Sequence, residues 1–174
     1  MFVEVVQQER LSVSPKEVNL QNAVLETLRK HVPGHQVGCG GVSLFPLGID
    51  AIDDIEIHDG MLYPLVTYRV VMYRAYVGEI LMCEVEKQDT AGIFLVHALL
   101  PGIHIPSGQI PQPSELCTLP VRTSRVDLWC WKYNDVRLYV KAGEVCKVRV
   151  IKIGKEGTIY ATIAGPGLGP LSWW

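Results

Sequence analysis

The sequence predicts an α+β protein, mostly β, in two domains. Residues 1–77 would form one helix on a small antiparallel sheet, and residues 78–174 a small closed barrel. Three observations point there. One stretch only, Pro15 to Val32, has sustained helical spacing of apolar residues. Val70 to Lys87 is rich in β-branched and aromatic residues, has no Pro, and is too long for one ordinary strand of about five or six residues. The remainder is a series of short apolar runs punctuated by Gly and Pro. Gly78 falls inside the Val70–Lys87 run and divides it, since Gly in a strand pattern marks a bulge or sharp bend.

Phe2 to Val13 reads as the first strand. Ser14-Pro15-Lys16-Glu17 then matches a capping box, with Ser14 as N-cap, Pro15 at the first helical position and Glu17 at the third. Leu20, Val24 and Leu28 recur at helical spacing and form the expected buried stripe, with Leu25 and Val32 beside it. Pro33-Gly34 ends the helix. Gln36 to Phe45 reads as a strand weakened by Gly38, Gly40 and Gly41. No Lys-Ser/Thr pair follows these glycines and no helix opens there, so close backbone packing explains them better than a phosphate cradle.

Ile49 to Leu62 is acidic. Asp54, Glu56 and His58 alternate with Ile55 and Ile57, which reads as a solvated strand face over two buried isoleucines, in preference to a divalent-metal site. Asp59-Gly60 is a tight-turn signal. Past Gly78, strands are expected at Glu79–Glu86, Ile93–Ala98, Val126–Tyr133, Glu144–Ile153 and Thr158–Ile163. A turn lies at Gln88–Ala91 and a hairpin turn at Gly154–Gly157. Residues 99–125 hold five prolines and read as mostly loop, with one short strand around Ile103–Ile105.

Net charge is −2, which argues against a general polyanion binder. Residues 1–77 carry a net of −3 and residues 78–174 a net of +1, so a nucleic-acid face belongs to the second half. Five cysteines without a Cys-x-x-Cys pair speak against a disulfide framework or a zinc site and fit a reducing compartment. The opening residues lack a basic segment and a long apolar run, so no signal peptide is expected, and no run approaches the roughly 18 apolar residues of a membrane span. Nucleophile-elbow, Walker, His-Glu-x-x-His and dinucleotide-binding motifs are all missing, so no catalytic residues, metal or cofactor are expected.

A small barrel can carry single-stranded nucleic acid if aromatics stack on bases and cations track phosphates. The second half offers Phe94, Trp129, Trp131, Tyr133 and Tyr160, with Lys147 and Arg149 on one strand face and Lys152 and Lys155 near the following turn. Two tryptophans in the final residues, Trp173 and Trp174, need cover.

Specific residues then carry a resemblance. They are Met1-Phe2-Val3, Val37-Gly38-Cys39, Ser43-Leu44-Phe45, the run Val70 to Ile80, Leu128-Trp129-Cys130-Trp131 with Leu138-Tyr139, and Pro166 to Trp174. Over its whole length the chain resembles the larger stalk subunits of eukaryotic RNA polymerase III, relatives of the larger stalk subunit of the archaeal polymerase. The resemblance implies an RNP-like N-terminal tip domain and a C-terminal S1-like barrel of the oligonucleotide-binding type. It implies a non-catalytic nuclear protein paired with a smaller stalk subunit and anchored on the polymerase core. There it would work with initiation factors at promoters of tRNA, 5S rRNA and other short RNAs, and meet emerging RNA.

The chain departs from the family where Pro64 runs almost directly into Tyr68, without a Gly-Asp-Gly loop, and where Gly154–Gly157 replaces a long acidic insertion. Of the S1 RNA-binding positions, the second aromatic falls on Phe94, the histidine on His104 and the basic residue on Lys155. The first aromatic falls on Ala91 and the acidic residue on Gly154, and both are lost. The expected RNA face is therefore Phe94, His104, Lys147, Arg149, Lys152 and Lys155, binding weakly through charge. The expected partner face is Val70, Met72, Tyr73, Tyr76, Trp173 and Trp174, with the tail docking across the junction of the two domains or onto the partner. A free-standing S1-type RNA-binding or translation factor is the alternative, and an enzyme on a β-rich scaffold the third reading.

Overall fold

The computed structural model describes residues 1–16, 19–37, 41–121, 124–155 and 157–174. The chain divides into two compact units, one of Met1–Val37 with Gly41–Arg74, the other of Ala75–Trp174.

In the first unit, strands β1 (Phe2–Arg10), β2 (Gln36–Val37), β3 (Gly41–His58) and β4 (Met61–Arg74) build one antiparallel sheet in the order β1-β4-β3-β2, and helix α1 (Leu20–His31) lies between β1 and β2 in sequence. Even-numbered residues of β4 from Val66 to Met72 point to one face, where Ala23, Val24 and Leu28 of α1 cover them together with Leu11, Val13 and Val32. The stripe expected for the helix is thus the one that packs. Its start is corrected. Asn19, in an extended conformation, is the N-cap, and its Oδ1 accepts from the backbone N–H of Gln21 (3.0 Å) and Asn22 (3.3 Å). Asparagine satisfies orphan helix donors as well as serine does, and residues 15–16 form a turn. Glu17 of the capping box and the glycines at 38 and 40 lie outside the described residues.

Residues 41–74 form one long hairpin. Asp59 (φ 49°) and Gly60 (φ 73°) both sit in the left-handed region that a two-residue hairpin turn requires. The two isoleucines expected to be buried are exposed, Ile57 at 68%. The core built by α1, Leu11 and Val13 takes in Ile49 and Ile52 of β3 and leaves Ile55 and Ile57 outside it. A bulge between Asp53 and Ile55, with Asp54 at φ 37°, also breaks the alternation opposite Pro64, which has no N–H to donate. The charge of the acidic face is partly offset by Arg10. Arg10 pairs with the Asp54 carboxylate and lies 2.8 Å from Glu56 Oε1, and Glu56 also lies 3.3 Å from His58 Nε2.

In the second unit, Val77-Gly78 forms a turn and Gly78 N–H donates to the Val150 carbonyl (2.7 Å). The following strands are β5 (Ile80–Asp89), β6 (Gly92–His97), β7 (Leu100–Pro106), β8 (Ser114–Val121), β9 (Ser124–Tyr133), β10 (Val136–Tyr139), β11 (Val145–Ile153), β12 (Ile159–Thr162) and β13 (Gly169–Pro170). The order β12-β7-β6-β5-β11, with β11 also paired to β12, closes a five-stranded barrel of the oligonucleotide-binding type. Leu81, Cys83, Val85, Ile93, Leu95, Ile103, Ile105, Val148 and Val150 alternate inward to fill it.

The described residues of 99–125 are mostly strand, not loop. The prolines mark strand ends or an edge: Pro106 closes β7, Pro111 and Pro113 lie between strands, and Pro120 sits in β8. β8 is the edge of a three-stranded sheet ordered β10-β9-β8, where a missing N–H costs no ladder bond. Trp129 ties this sheet to the barrel. Its Nε1 donates to the Asp89 carbonyl (2.9 Å), and its backbone N–H donates to Gln88 Oε1 (2.9 Å).

The β5–β6 turn admits one residue type at position 92. Gly92 has φ 146°, and a Cβ there would lie 2.0 Å from the Ile105 carbonyl oxygen. Backbone on the neighbouring strand cannot move aside as a flexible side chain can. Gly92→Ala should therefore cost about 3 kcal/mol or more in urea unfolding. A loss under about 1 kcal/mol would show that β6 and β7 are not packed this closely.

Candidate functional site

The outward face of the barrel carries one row of side chains across five strands. Register places Lys87 (β5) beside Phe94 (β6), Phe94 beside His104 (β7), His104 beside Tyr160 (β12) and Tyr160 beside Lys152 (β11). Each of the three ring residues is flanked along its strand by buried neighbours, so alternation forces the rings outward: Ile93 and Leu95 around Phe94, Ile103 and Ile105 around His104, Ile159 and Ala161 around Tyr160. The result is three rings with a lysine at each end.

The rings are engaged with one another. The Phe94 and His104 rings stack at 4.5 Å and 14°, and Tyr160 meets His104 edge-on at 5.9 Å. Lys87 Nζ sits 4.9 Å from the Phe94 centroid. Lys87 and His104 belong to strands on opposite sides of β6, so both faces of Phe94 are occupied. A base could stack on Phe94 only by displacing the ammonium. His104 Nε2 is buried without a hydrogen-bond partner, so stacking rather than hydrogen bonding holds its ring.

The six residues expected to meet RNA separate into two groups. Phe94, His104 and Lys152 lie in the row. Lys147 and Arg149 do not: they stand opposite Met82 and Ile80 on β5. Lys155 follows β11 and is exposed. Lys87 has no distinguishing signal in the linear sequence, and Tyr160 is there one aromatic among several. Their signal is the register of the β5–β6 hairpin and of β12 on β7, which a linear reading of spacing does not supply.

Lys147 and Arg149 instead rim an apolar strip. Ile80 (48% exposed) and Met82 (47%) alternate outward on β5 with the exposed Glu84, which exposed Val96 and Val145 flank on the neighbouring strands, and exposed Tyr76 and Val77 lie just before. Among the residues expected at a partner face, Val70, Met72 and Tyr73 are buried in the first unit and Tyr76 is exposed. Trp173 packs within the second unit, 5.4 Å from the Trp131 ring, and its Nε1 donates to the Tyr139 carbonyl (3.1 Å). Trp174 is 68% exposed.

The first unit offers two hollows of mixed polar and apolar lining. The larger, about 550 Å³, is lined by Asn19–Gln21 and Ile49–Ile52, and its one carboxylate, Asp50, is held 3.0 Å from Arg69 Nε. The smaller, about 240 Å³, holds Tyr68, whose hydroxyl donates to Glu9 Oε1 (2.7 Å) and lies 3.0 Å from Gln7 Oε1. Burial, then the Glu9 hydrogen bond, pushes the Tyr68 phenol well above its usual range.

The barrel thus carries a lysine-bounded aromatic row and a neighbouring apolar strip on its outer surface. Comparison with known proteins gives the particular relatives. No family model matches the chain. It is 23% identical over 205 aligned residues to the DNA-directed RNA polymerase III subunit RPC8 of Bos taurus, covering all of this chain and 98% of that one. It is 20% identical over 156 residues to subunit rpc8 of Dictyostelium discoideum, covering 88% of this chain and 60% of that protein. The resemblance read from the sequence is borne out: the chain is a divergent relative of these subunits.

The geometry of the row sets an expectation for Phe94→Ala. It removes a ring that spans His104 and Lys87, so it should lower stability by about 2 kcal/mol, less than the roughly 3–5 kcal/mol of a fully buried Phe. Any salt dependence of binding to single-stranded RNA should stay unchanged, because that slope counts phosphate contacts. Urea unfolding and a salt titration of binding measure the two effects. Unaltered stability with binding lost would show instead that Phe94 is an open stacking platform.

Proposed function

We propose that this chain is the larger stalk subunit of RNA polymerase III, a non-catalytic member of the transcription machinery acting in the nucleus. The observation that carries the proposal is the extent of the likeness: RPC8 of Bos taurus matches the whole chain and 98% of its own length. A shared single module would match only part of each.

On this reading residues 1–77 are the tip domain that seats on the polymerase core, and residues 78–174 the barrel that meets emerging RNA. A smaller stalk subunit covers the strip at Tyr76, Ile80 and Met82. An exposed apolar strip of this kind, rimmed by Lys147 and Arg149, has the anatomy of a protein interface. RNA contact is weak, made by Lys87 and Lys152 at the ends of the row, with Lys155 nearby. Initiation at genes for tRNA, 5S rRNA and other short RNAs is the process served, with initiation factors as further partners.

Affinity purification of the tagged chain from nuclear extract tests the proposal. The expected result is recovery of RNA polymerase III core subunits with one small partner. Replacing Ile80 and Met82 together by Asp should reduce recovery of the small partner by about tenfold or more, since losing a buried anchor costs more than about 1.4 kcal/mol. Both side chains are already exposed, so the variant should stay folded. Recovery of ribosomes in place of polymerase subunits would favour the free-standing RNA-binding factor.

A further inference from the structure

We propose that the aromatic groove beside β9 and β10 binds a proline-rich segment of a partner protein, in polyproline II form, with a basic residue at one end. The groove encloses about 480 Å³ and is lined by Trp131, Tyr133, Trp173, Trp174, Pro111 and Pro166 with three further uncharged residues. That volume lies within the range of about 300–1,000 Å³ typical of ligand sites. It is separate from the Lys87–Lys152 row and from the Ile80–Met82 strip, and the inference does not depend on the proposed function.

The walls are fixed in advance. Trp173 Nε1 donates to the Tyr139 carbonyl (3.1 Å) and Trp174 Nε1 to the Leu168 carbonyl (3.3 Å), which sets both indole planes. Trp131 stands 4.9 Å from Tyr133 and 5.4 Å from Trp173, with interplanar angles of 46° and 41°. Gly169, at φ 109°, is required under the Trp173 ring: a Cβ there would lie 2.7 Å from Trp173 Cε3. β13 pins this stretch by pairing with Cys146 and Lys147 of β11. A preformed aromatic groove suits a ligand that is itself preformed, because neither side loses much freedom on binding.

Charge and hydrogen bonding choose the occupant. None of the lining side chains is charged, so a phosphodiester chain would find no counter-charge. A polyproline II segment has a neutral apolar surface and carbonyls without internal partners. Among the described residues, Trp131 Nε1 and the Tyr133 hydroxyl have no partner and can donate to such carbonyls. Asp135, exposed on the turn that follows Tyr133, has no ion-pair partner among the described residues. It supplies the negative charge that a terminal Arg or Lys would meet.

The test is isothermal titration calorimetry of the full chain with a decapeptide of one Arg followed by nine Pro. An Arg-Gly/Ser decapeptide, an all-Pro decapeptide and oligouridine serve as comparisons. Saturable binding of the Arg-Pro peptide is expected, without binding of the Gly/Ser peptide. Tyr133→Ala and Trp174→Ala, both at exposed positions, should each weaken it by about tenfold or more. Asp135→Lys should weaken the Arg-Pro peptide and leave the all-Pro peptide unchanged. The proposal is overturned if the Arg-Pro peptide does not saturate, if the Gly/Ser peptide binds equally, or if Tyr133→Ala and Trp174→Ala leave binding intact. It is also overturned if oligouridine binds in a way that Trp174→Ala abolishes, which would assign the groove to nucleic acid.

Discussion

The antiparallel pairing of β5 with β11 is the contact on which the second unit depends. It joins Ile80–Glu84 to Val145–Arg149 across more than half of that unit's sequence and turns an open sheet into a barrel. Without it β5 and β11 would be long unpaired edges, a standing invitation to aggregation. The inner residues of the pair, Leu81, Cys83, Cys146 and Val148, are buried, and Cys83 stands directly opposite Cys146. Burial pushes both thiols up to about 12, so they are neutral core residues and not nucleophiles. Because the contact is so distant in sequence, it should form late in folding, after the local β5–β6–β7 meander.

The same pairing decides what the surface can do. Alternation that sends Leu81 and Cys83 inward sends Ile80 and Met82 outward, and brings Arg149 and Lys147 beside them. Further along β11, past the bulge after Val150, Lys152 joins the Phe94–His104–Tyr160 row. Two faces of opposite character therefore arise from a single register. A slip of one residue would exchange core and surface and erase both.

Much of this was legible in the sequence. The helix stripe at Leu20, Val24 and Leu28, the Asp59-Gly60 turn, the break at Gly78 and the last two strands depend on local signals, and local signals survive folding. The exposed Ile55 and Ile57 were not legible, because their burial depends on how far the core under α1 reaches along the hairpin. The strands within residues 99–125 were hidden by proline count, since Pro is harmless at strand ends and on the β8 edge. For the candidate site, residue types and the aromatic positions Phe94 and His104 could be read. The place of Lys87, and the separation of Lys147 and Arg149 from Lys152, required knowing which strands are neighbours.

The central claim is that the barrel divides its outer surface between a protein partner and RNA, as suits a stalk subunit of RNA polymerase III. Hydrogen–deuterium exchange on the full chain, alone and with the smaller stalk subunit, tests it most directly. The account predicts slowed exchange at Tyr76–Met82 and Val145–Arg149 on partner binding, with Phe94, His104 and Tyr160 unchanged. Protection of the Phe94–His104–Tyr160 row instead, with the Ile80–Met82 strip left as open as in the free chain, would contradict it.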